Sequence, residues 1–394
     1  MTVFKISKRT AAMTFMCLVL FLGVFRICIF SNTIFKIYSI MLLGSMMLIL
    51  ARNTGRWKRN RFVIFLAAVV ALSVINKSFH AKGFMNALTY FLQFISVYFV
   101  ADYIAEYYGP VFCLKCFAYA SVCICTCMDI SVLLGMSFDP QRYQNLTTYL
   151  FGNKFMVSYL HMQALGICAA YAEFSGNAQK TSWKAGLSIY AVFGIVVSAI
   201  AECSTGIIGN AVIFLMLIFP FTNRMKRFFS MPFVMMLALL VANILLIGSD
   251  VLLQLPPVQY IIVNILHEDL TLTGRFYIYN LLAPLIKDEW LLGYGYNSDL
   301  ITNMIGYGNA QNGVFQYVLD CGIAGLVCYL ANWVHSVKSE RCDAVKNWPL
   351  VCTVYGFIVC SLVEVCFKFN FLIILALMAC MNMHKSQKGR PVIS

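Results

Sequence analysis

Twelve long apolar stretches limit what this 394-residue chain can fold into. Most are close to the roughly 20 apolar residues that an α-helix needs to cross the hydrocarbon core of a bilayer. Hydrophobic residues make up 61% of the chain and charged residues only 11%, whereas a soluble domain has about a quarter charged residues. We therefore predict an all-α, polytopic membrane protein with about twelve transmembrane helices. The predicted spans are 11–31, 33–51, 62–76, 85–101, 111–136, 155–173, 184–201, 205–222, 231–249, 313–334, 349–366 and 369–384.

The net charge of +13 is distributed unevenly between the connections of these spans. With the N-terminus inside, twenty of the 29 Lys and Arg residues fall in cytoplasmic segments, and Arg26 falls within the first span. This is the positive-inside bias of membrane proteins, and it predicts that both termini are cytoplasmic. The excess of basic residues is therefore explained by the membrane topology, and we expect no nucleic-acid partner. The outer segments hold the other eight basic residues, which are Lys36, Lys77, Lys82, Arg142, Lys154, Arg275, Lys287 and Lys368.

Two predicted outer connections are longer than the others in what we interpret as a single membrane domain over residues 1–394. The first loop covers residues 137–154, and the large loop covers residues 250–312, between the ninth and tenth helices. Long connections in a compact protein are usually functional or unstructured. The large loop is rich in aromatic and aliphatic residues, so we expect it to form short helices on the outer membrane face.

The large loop contains charged residues that can bind a phosphate or a diphosphate or act as a base. Arg275, in "TLTGRFYIYN", can bind a diphosphate through paired hydrogen bonds. A surface position or an ion pair with Glu268 and Asp269 explains Arg275 equally well. Glu268 can act as a base toward a sugar hydroxyl, although a solvated helix start or the same ion pair is the simpler explanation.

Other polar and aromatic residues have the same two kinds of interpretation. Arg142, in the first loop, is either a second phosphate ligand or a surface residue. Tyr294 and Tyr296, in "GYGY", can stack on sugar rings or belong to the aromatic belt at the membrane interface. Within the spans, Arg26, Asp129 and Glu364 do not form the relay series of a secondary transporter.

Three segments of the large loop and the helix after it carry a family resemblance. "TLTGRFYIYN", "LLGYGYNSD" and "NAQNGVFQYVLDCGIAGL" follow one another in the order found in the O-antigen ligase and polymerase superfamily, which includes the Wzy-type polysaccharide polymerases. Earlier, "YLFGNKFMVSYLHM" looks like the start of the sixth helix in capsular polymerases, and "ECSTGIIGN" is similar to a Ser/Thr-Gly element of the family. The resemblance covers about residues 141–330 and implies a GT-C-like membrane fold.

The resemblance implies a glycosyltransferase of the bacterial cytoplasmic membrane that needs neither a metal nor another cofactor. Its substrates would be oligosaccharide repeat units on a polyprenyl diphosphate, polymerised at the outer membrane face. A hydroxyl of the incoming unit attacks the anomeric carbon of the growing chain, and the lipid diphosphate leaves. Arg275 would stabilise this leaving group, with Arg142 or Lys154 as a second contact. Membrane lipids, a chain-length regulator and a flippase are the other partners that we expect.

One position departs from the ligase pattern. Ligases have a histidine where this chain has Gln311 in "NAQN", and glutamine cannot act as a general base. Polymerisation is therefore favoured over ligation, and Gln311 and Asn312 would bind sugar hydroxyls or diphosphate oxygens, unless they only cap the tenth helix. A flippase or transporter is disfavoured by the long outer loop and by the lack of matching halves. The predicted catalytic residues are Arg275, Glu268 and Gln311, and the predicted substrate contacts are Arg142, Lys154, Asn312, Tyr294 and Tyr296.

Overall fold

The computed structural model describes residues 7–76, 81–138, 147–247, 255–260, 263–264, 275–296, 309–337 and 344–383. These ranges are mainly α-helical, in agreement with the predicted all-α class. A short antiparallel hairpin, β1 (Thr148–Tyr149) with β2 (Gly152–Asn153), precedes the sixth helix. The helices are α1 (Lys8–Val24), α2 (Asn32–Leu50), α3 (Thr54–Ile75), α4 (Ala81–Tyr108), α5 (Pro110–Leu133), α6 (Lys154–Phe174), α7 (Thr181–Ile200), α8 (Ser204–Ile218), α9 (Asn223–Phe229), α10 (Pro232–Ile247), α11 (Pro256–Tyr260), α12 (Arg275–Asp288), α13 (Gly313–Val337), α14 (Trp348–Ser361) and α15 (Phe369–Met383).

Each predicted apolar segment coincides with one of these helices, and several of the helices have the length and composition of membrane spans. Six of the described helices are long and apolar enough to cross a membrane, namely α2, α4, α5, α6, α7 and α13. The pair α9 and α10, bent by 64° at its junction, would make a seventh span. Helices α8, α14 and α15 are apolar but shorter. The structure is therefore that of an integral membrane protein, while the count of twelve spans stays a prediction.

Helix α15 occupies the centre of the bundle. Its side chains are buried from Asn370 to Met381, and it packs against α4, α6, α13 and α14. A helix that is apolar around its whole circumference is stable only when neighbours cover every face. Among the other helices, α5 and α6 pack closely against each other.

One end of the bundle is basic and is held together by a buried ion network. Arg59 Nη2 lies 2.8 Å from Asp102 Oδ2 and 2.7 Å from Glu106 Oε2, which joins the start of α3 to the end of α4. Arg56 Nη2 also lies 3.2 Å from Glu106 Oε2. Buried charges need such compensation because they have lost their hydration. We call the end where α3, α5, α7 and α14 begin the basic end.

Candidate functional site

The opposite end of the bundle brings together the segments that the sequence analysis singled out. Helices α6, α8 and α13 begin there, and we call it the loop end. The ammonium of Lys154, at the start of α6, donates to the carbonyl of Glu202 at 2.8 Å. The Cys360 thiol, near the end of α14, lies 3.5 Å from the carbonyl of Thr205 in α8. Three helix N-termini, each with a partial positive charge, thus lie at one end of the molecule.

Asn312 begins α13 as its cap. Its Oδ1 accepts from the backbone N–H groups of Val314 at 2.9 Å and Phe315 at 3.0 Å. Its Nδ2 donates to Asn243 Oδ1 at 2.8 Å and to the carbonyl of Leu362 at 3.1 Å. The residue is fully buried, with an exposed fraction of 0%. Both ends of the amide are therefore in use, and the capping interpretation accounts for Asn312 without a substrate contact.

Gln311, next to this cap, has a strained backbone and a partly exposed side chain. Its φ is 52°, in the left-handed region that residues other than glycine rarely adopt. Its N–H donates to Asn309 Oδ1 at 2.8 Å, and its carbonyl lies 3.0 Å from the hydroxyl of Tyr279, which is also 3.0 Å from the carbonyl of Leu362. Among the described residues, only these backbone groups of Gln311 form hydrogen bonds. The described neighbours thus hold the strained backbone of Gln311 in place.

Glu202 has the same conformation, with φ at 56°. Its carbonyl holds Lys154, and its side chain is exposed. Burial raises the pKa of the adjacent Cys203 thiol, so this group stays neutral. In the described part of the chain, Glu202 and Gln311 are the two residues other than glycine with positive φ, and both lie at the loop end. Such outliers persist where the surrounding structure enforces them, and they cluster at functional sites.

The glycine-rich turn at 289–296 docks onto a break in α13. Gly322, with φ at 67°, interrupts the helix and frees backbone groups on both sides of it. A Cβ on Gly293, whose φ is 71°, would lie only 2.6 Å from the nitrogen of Gly322, so the two glycines permit the close approach. Four hydrogen bonds join the segments: Tyr294 N to Leu319 O at 2.6 Å, Gly295 N to Asp320 O at 3.0 Å, Ile323 N to Trp290 O at 2.7 Å and Ala324 N to Leu291 O at 3.1 Å.

Tyr294 and Tyr296, the two tyrosines predicted to contact the substrate, have different surroundings in the docked turn. The Tyr294 hydroxyl donates to the carbonyl of Leu285 at 2.9 Å, which anchors the turn to α12. Tyr296 is 36% exposed, and its ring centroid lies 5.7 Å from that of Tyr90. It lines a cavity of about 40 Å³ together with Asp320 and Lys368. A cavity of this size can hold a water molecule but not a sugar.

The other predicted site residues lie wholly or partly outside the described residues. Arg142 and Glu268 belong to the ranges that the structure does not describe, and so do the residues on either side of them. Arg275 is the first residue of α12, with its backbone described and its side chain not. It therefore precedes Tyr279 by one helical turn.

A separate buried cluster offers donors that could hold a metal ion. Cys125 and Asp129 of α5 and His161 of α6 place one ligand atom each within 4.8 Å of one another. His161 Nε2 lies 2.9 Å from Asp129 Oδ1. Thiolate, carboxylate and imidazole are all zinc ligands. Asp129 was expected from the sequence as an intramembrane charge, but no sequence pattern indicated His161 as its partner.

The strain at Glu202 and the roles of Tyr279 and of the carbonyl of Leu362 were not predicted from the sequence. A signal existed only for Tyr279, which is four residues after Arg275 and therefore on the same helix face. Nothing in the sequence around Leu362 indicates that its carbonyl accepts hydrogen bonds from both Tyr279 and Asn312.

A comparison with known protein families finds a match that overlaps part of the loop end. A family model described as O-Antigen ligase (Wzy_C) matches residues 181–330. No curated protein and no solved structure matches the chain. The matched range begins with α7 and ends within α13, so it includes Glu202, the turn at 289–296 and Gln311. Members of the family are glycosyltransferase-like enzymes that act on polysaccharides. Residues 181–330 are therefore similar to an O-antigen ligase domain, which is consistent with the resemblance to the O-antigen ligase/polymerase superfamily.

Proposed function

We propose that the chain polymerises polyprenyl-diphosphate-linked oligosaccharide repeat units at its loop end, on the outer face of a bacterial cytoplasmic membrane. The observation that carries the proposal is the pair of strained residues, Gln311 and Glu202. Both lie in motifs that resemble the superfamily, and both are in the range matched by the family model. Strain that is enforced at two family motifs on one end of the bundle supports a reaction site there.

The leaving group of this reaction is a lipid diphosphate, and the loop end supplies positive charge. The N-termini of α6, α8 and α13 contribute their dipoles, and the half-buried Lys154 contributes an ammonium group. We assign the main diphosphate contact to Arg275, because positions four apart share a helix face and Tyr279 contacts the carbonyls of Gln311 and Leu362. Arg142, from the first loop, is the proposed second contact.

The proposed step is a displacement at the anomeric carbon of the growing chain. A hydroxyl oxygen of the incoming lipid-linked unit forms the new bond to this carbon, while the bond from the carbon to the diphosphate oxygen breaks. The hydroxyl proton passes to a base, which we assign to Glu268. The electron pair of the broken bond leaves with the lipid diphosphate. Hydrogen-bond donors that are already positioned for the negative charge on the leaving diphosphate lower the barrier and supply a large part of the catalysis.

Gln311 has the side chain that best fits a contact to the sugar. Its amide can donate to one hydroxyl and accept from another, but it cannot take up the proton. The left-handed backbone, held by Asn309 and Tyr279, fixes where the side chain begins. Asn312 then acts indirectly, since it fixes the start of α13 on which Gln311 is mounted. We therefore favour polymerisation over ligation.

A second function, transfer of a finished glycan to another acceptor, is favoured by the description of the matching family. The same loop end would bind the same lipid-diphosphate donor. The two functions differ in the acceptor, which in ligation is not another lipid-linked repeat unit.

Purified chain in nanodiscs, supplied with the lipid-linked repeat unit of the source bacterium, tests the proposal. Polymerisation predicts a ladder of products at multiples of the unit and one released polyprenyl diphosphate per bond. A Gln311→Ala variant should lose the ladder, while Asn223→Ala, which removes an exposed amide at the basic end, should keep it. Transfer of single units to a different acceptor would indicate ligation, and no glycosyl transfer to either acceptor would refute both functions.

A further inference from the structure

The basic end contains a second, larger cavity, with a volume of about 560 Å³. Helices α6, α7, α8, α9 and α14 contribute to its walls. The volume is in the range of pockets that bind small organic ligands. The cavity lies at the opposite end of the bundle from the loop end, so its role is separate from the proposed reaction.

The deeper part of this cavity is lined mainly by apolar residues, and its charged residues lie at one end. Leu165, Ala169 and Glu173 form a stripe at intervals of four residues on α6. At 1.5 Å per residue, the stripe extends about 12 Å into the bundle from the charged end. Phe214 and Leu217 of α8 add apolar surface to the cavity. A long apolar slot with charge at only one end has the polarity of an amphiphile.

The charged end is dominated by two lysines from different helices. Lys184, in the first turn of α7, donates from Nζ to Gln179 Oε1 at 3.1 Å. Lys226, on α9, lies 6.0 Å from the ring centroid of Trp348 at the start of α14. Each ammonium has three donors, so neither contact saturates it. With Glu173 also at this end, the lining keeps one positive charge in excess.

We propose that this cavity binds an anionic phospholipid from the surrounding bilayer. The phosphate would lie between Lys184 and Lys226, and an acyl chain would lie against Leu165 and Ala169 of α6. Lysines attract anionic headgroups, and tryptophan is enriched at the same membrane depth. A zwitterionic phospholipid binds less well, because its own cation meets the lysines.

Native mass spectrometry of the purified, delipidated chain in detergent tests this inference. We expect one phosphatidylglycerol to bind at saturation, more tightly than phosphatidylcholine. The double variant Lys184→Gln/Lys226→Gln should weaken phosphatidylglycerol binding by about 30-fold, since each lysine near a phosphate contributes about fivefold. Arg224→Gln/Arg227→Gln is the matched control, because these exposed cations lie on the same short helix as Lys226 but do not line the cavity.

A second variant tests the acyl-chain part of the site with both lysines in place. Ala169→Phe fills the slot and should reduce phosphatidylglycerol binding at least tenfold, with the thermal unfolding midpoint used to check folding. Equal binding of the two lipids, unchanged binding by Ala169→Phe, or equal effects of the two double variants would overturn the proposal. Competition by millimolar inorganic phosphate would also overturn it, since that result identifies a site for a free anion.

Discussion

Replacing Gly293 with alanine should release the turn at 289–296 from the break in α13. The new Cβ would lie 2.6 Å from both the nitrogen of Gly322 and the carbonyl oxygen of Leu319. These are backbone atoms and cannot rotate away as a side chain could. Residue 293 also has φ at 71°, which alanine adopts only with strain.

The free energy of this release follows from the contacts that are lost. A left-handed conformation costs a residue with a side chain about 1–2 kcal/mol. The four backbone hydrogen bonds between the turn and α13 contribute about 0.5–1.5 kcal/mol each, or roughly 2–6 kcal/mol together. The strain and the clash of the alanine therefore oppose a stabilisation of several kcal/mol from these hydrogen bonds. We expect the turn to open in a large fraction of molecules.

Hydrogen exchange followed by mass spectrometry measures the opening directly. The amides of residues 293–295 should exchange at least tenfold faster in Gly293→Ala, since about 1.4 kcal/mol already corresponds to a factor of ten. Polymer formation should fall with the loss of protection, because Tyr296 is no longer held in place.

Two control variants separate the effect of the positive φ from the effect of the steric clash of the new Cβ. Gly135→Ala introduces alanine at φ 62° with no atom near the new Cβ, and Gly44→Ala introduces it in open space within a helix. Neither should alter exchange at residues 293–295. Native protection and native polymer yield in Gly293→Ala would refute the reasoning.

Three further variants test the loop end. Gln311→Gly relieves the left-handed strain and should keep or raise the stability by up to about 1 kcal/mol while polymer yield falls, and an undiminished yield would contradict the role of the amide. Asn312→Ala removes the cap of α13 and should lower the free energy of unfolding by about 1–3 kcal/mol in a denaturant titration, whereas an unchanged midpoint would show that the cap is dispensable. Lys154→Met should lower the rate of lipid-diphosphate release by about tenfold or more relative to Lys115→Met at the basic end, and equal rates for the two variants would remove Lys154 from the site.

The helices could be predicted from the sequence because long apolar runs need little else to specify them. Their ends could not. Helix α4 extends to Tyr108, beyond the predicted boundary at 101, because Asp102 and Glu106 are neutralised by Arg56 and Arg59 of α3. Such pairs join residues more than forty positions apart, and no local pattern indicates them. Helix α8 ends at Ile218, before the predicted boundary at 222.

The motifs that form the site could be predicted from the sequence, but their arrangement in space could not. The order of the segments indicated that Gln311 and the glycine-rich turn belong together. The choice between ligand and cap for Asn312 depended on Asn243 and Leu362, which are distant in sequence. The backbone strain at Gln311 and Glu202 could not be inferred, because their residue types do not require positive φ.

The rate of polyprenyl-diphosphate release by an Arg275→Lys variant tests the central proposal most directly. Lysine keeps the charge but cannot form the paired hydrogen bonds of the planar guanidinium. If Arg275 binds the departing diphosphate, the rate in nanodiscs should fall by about 100-fold or more, the loss seen when one oxyanion donor is removed. Arg227→Lys, at the basic end, should retain the native rate. A native rate in Arg275→Lys would contradict the proposed mechanism.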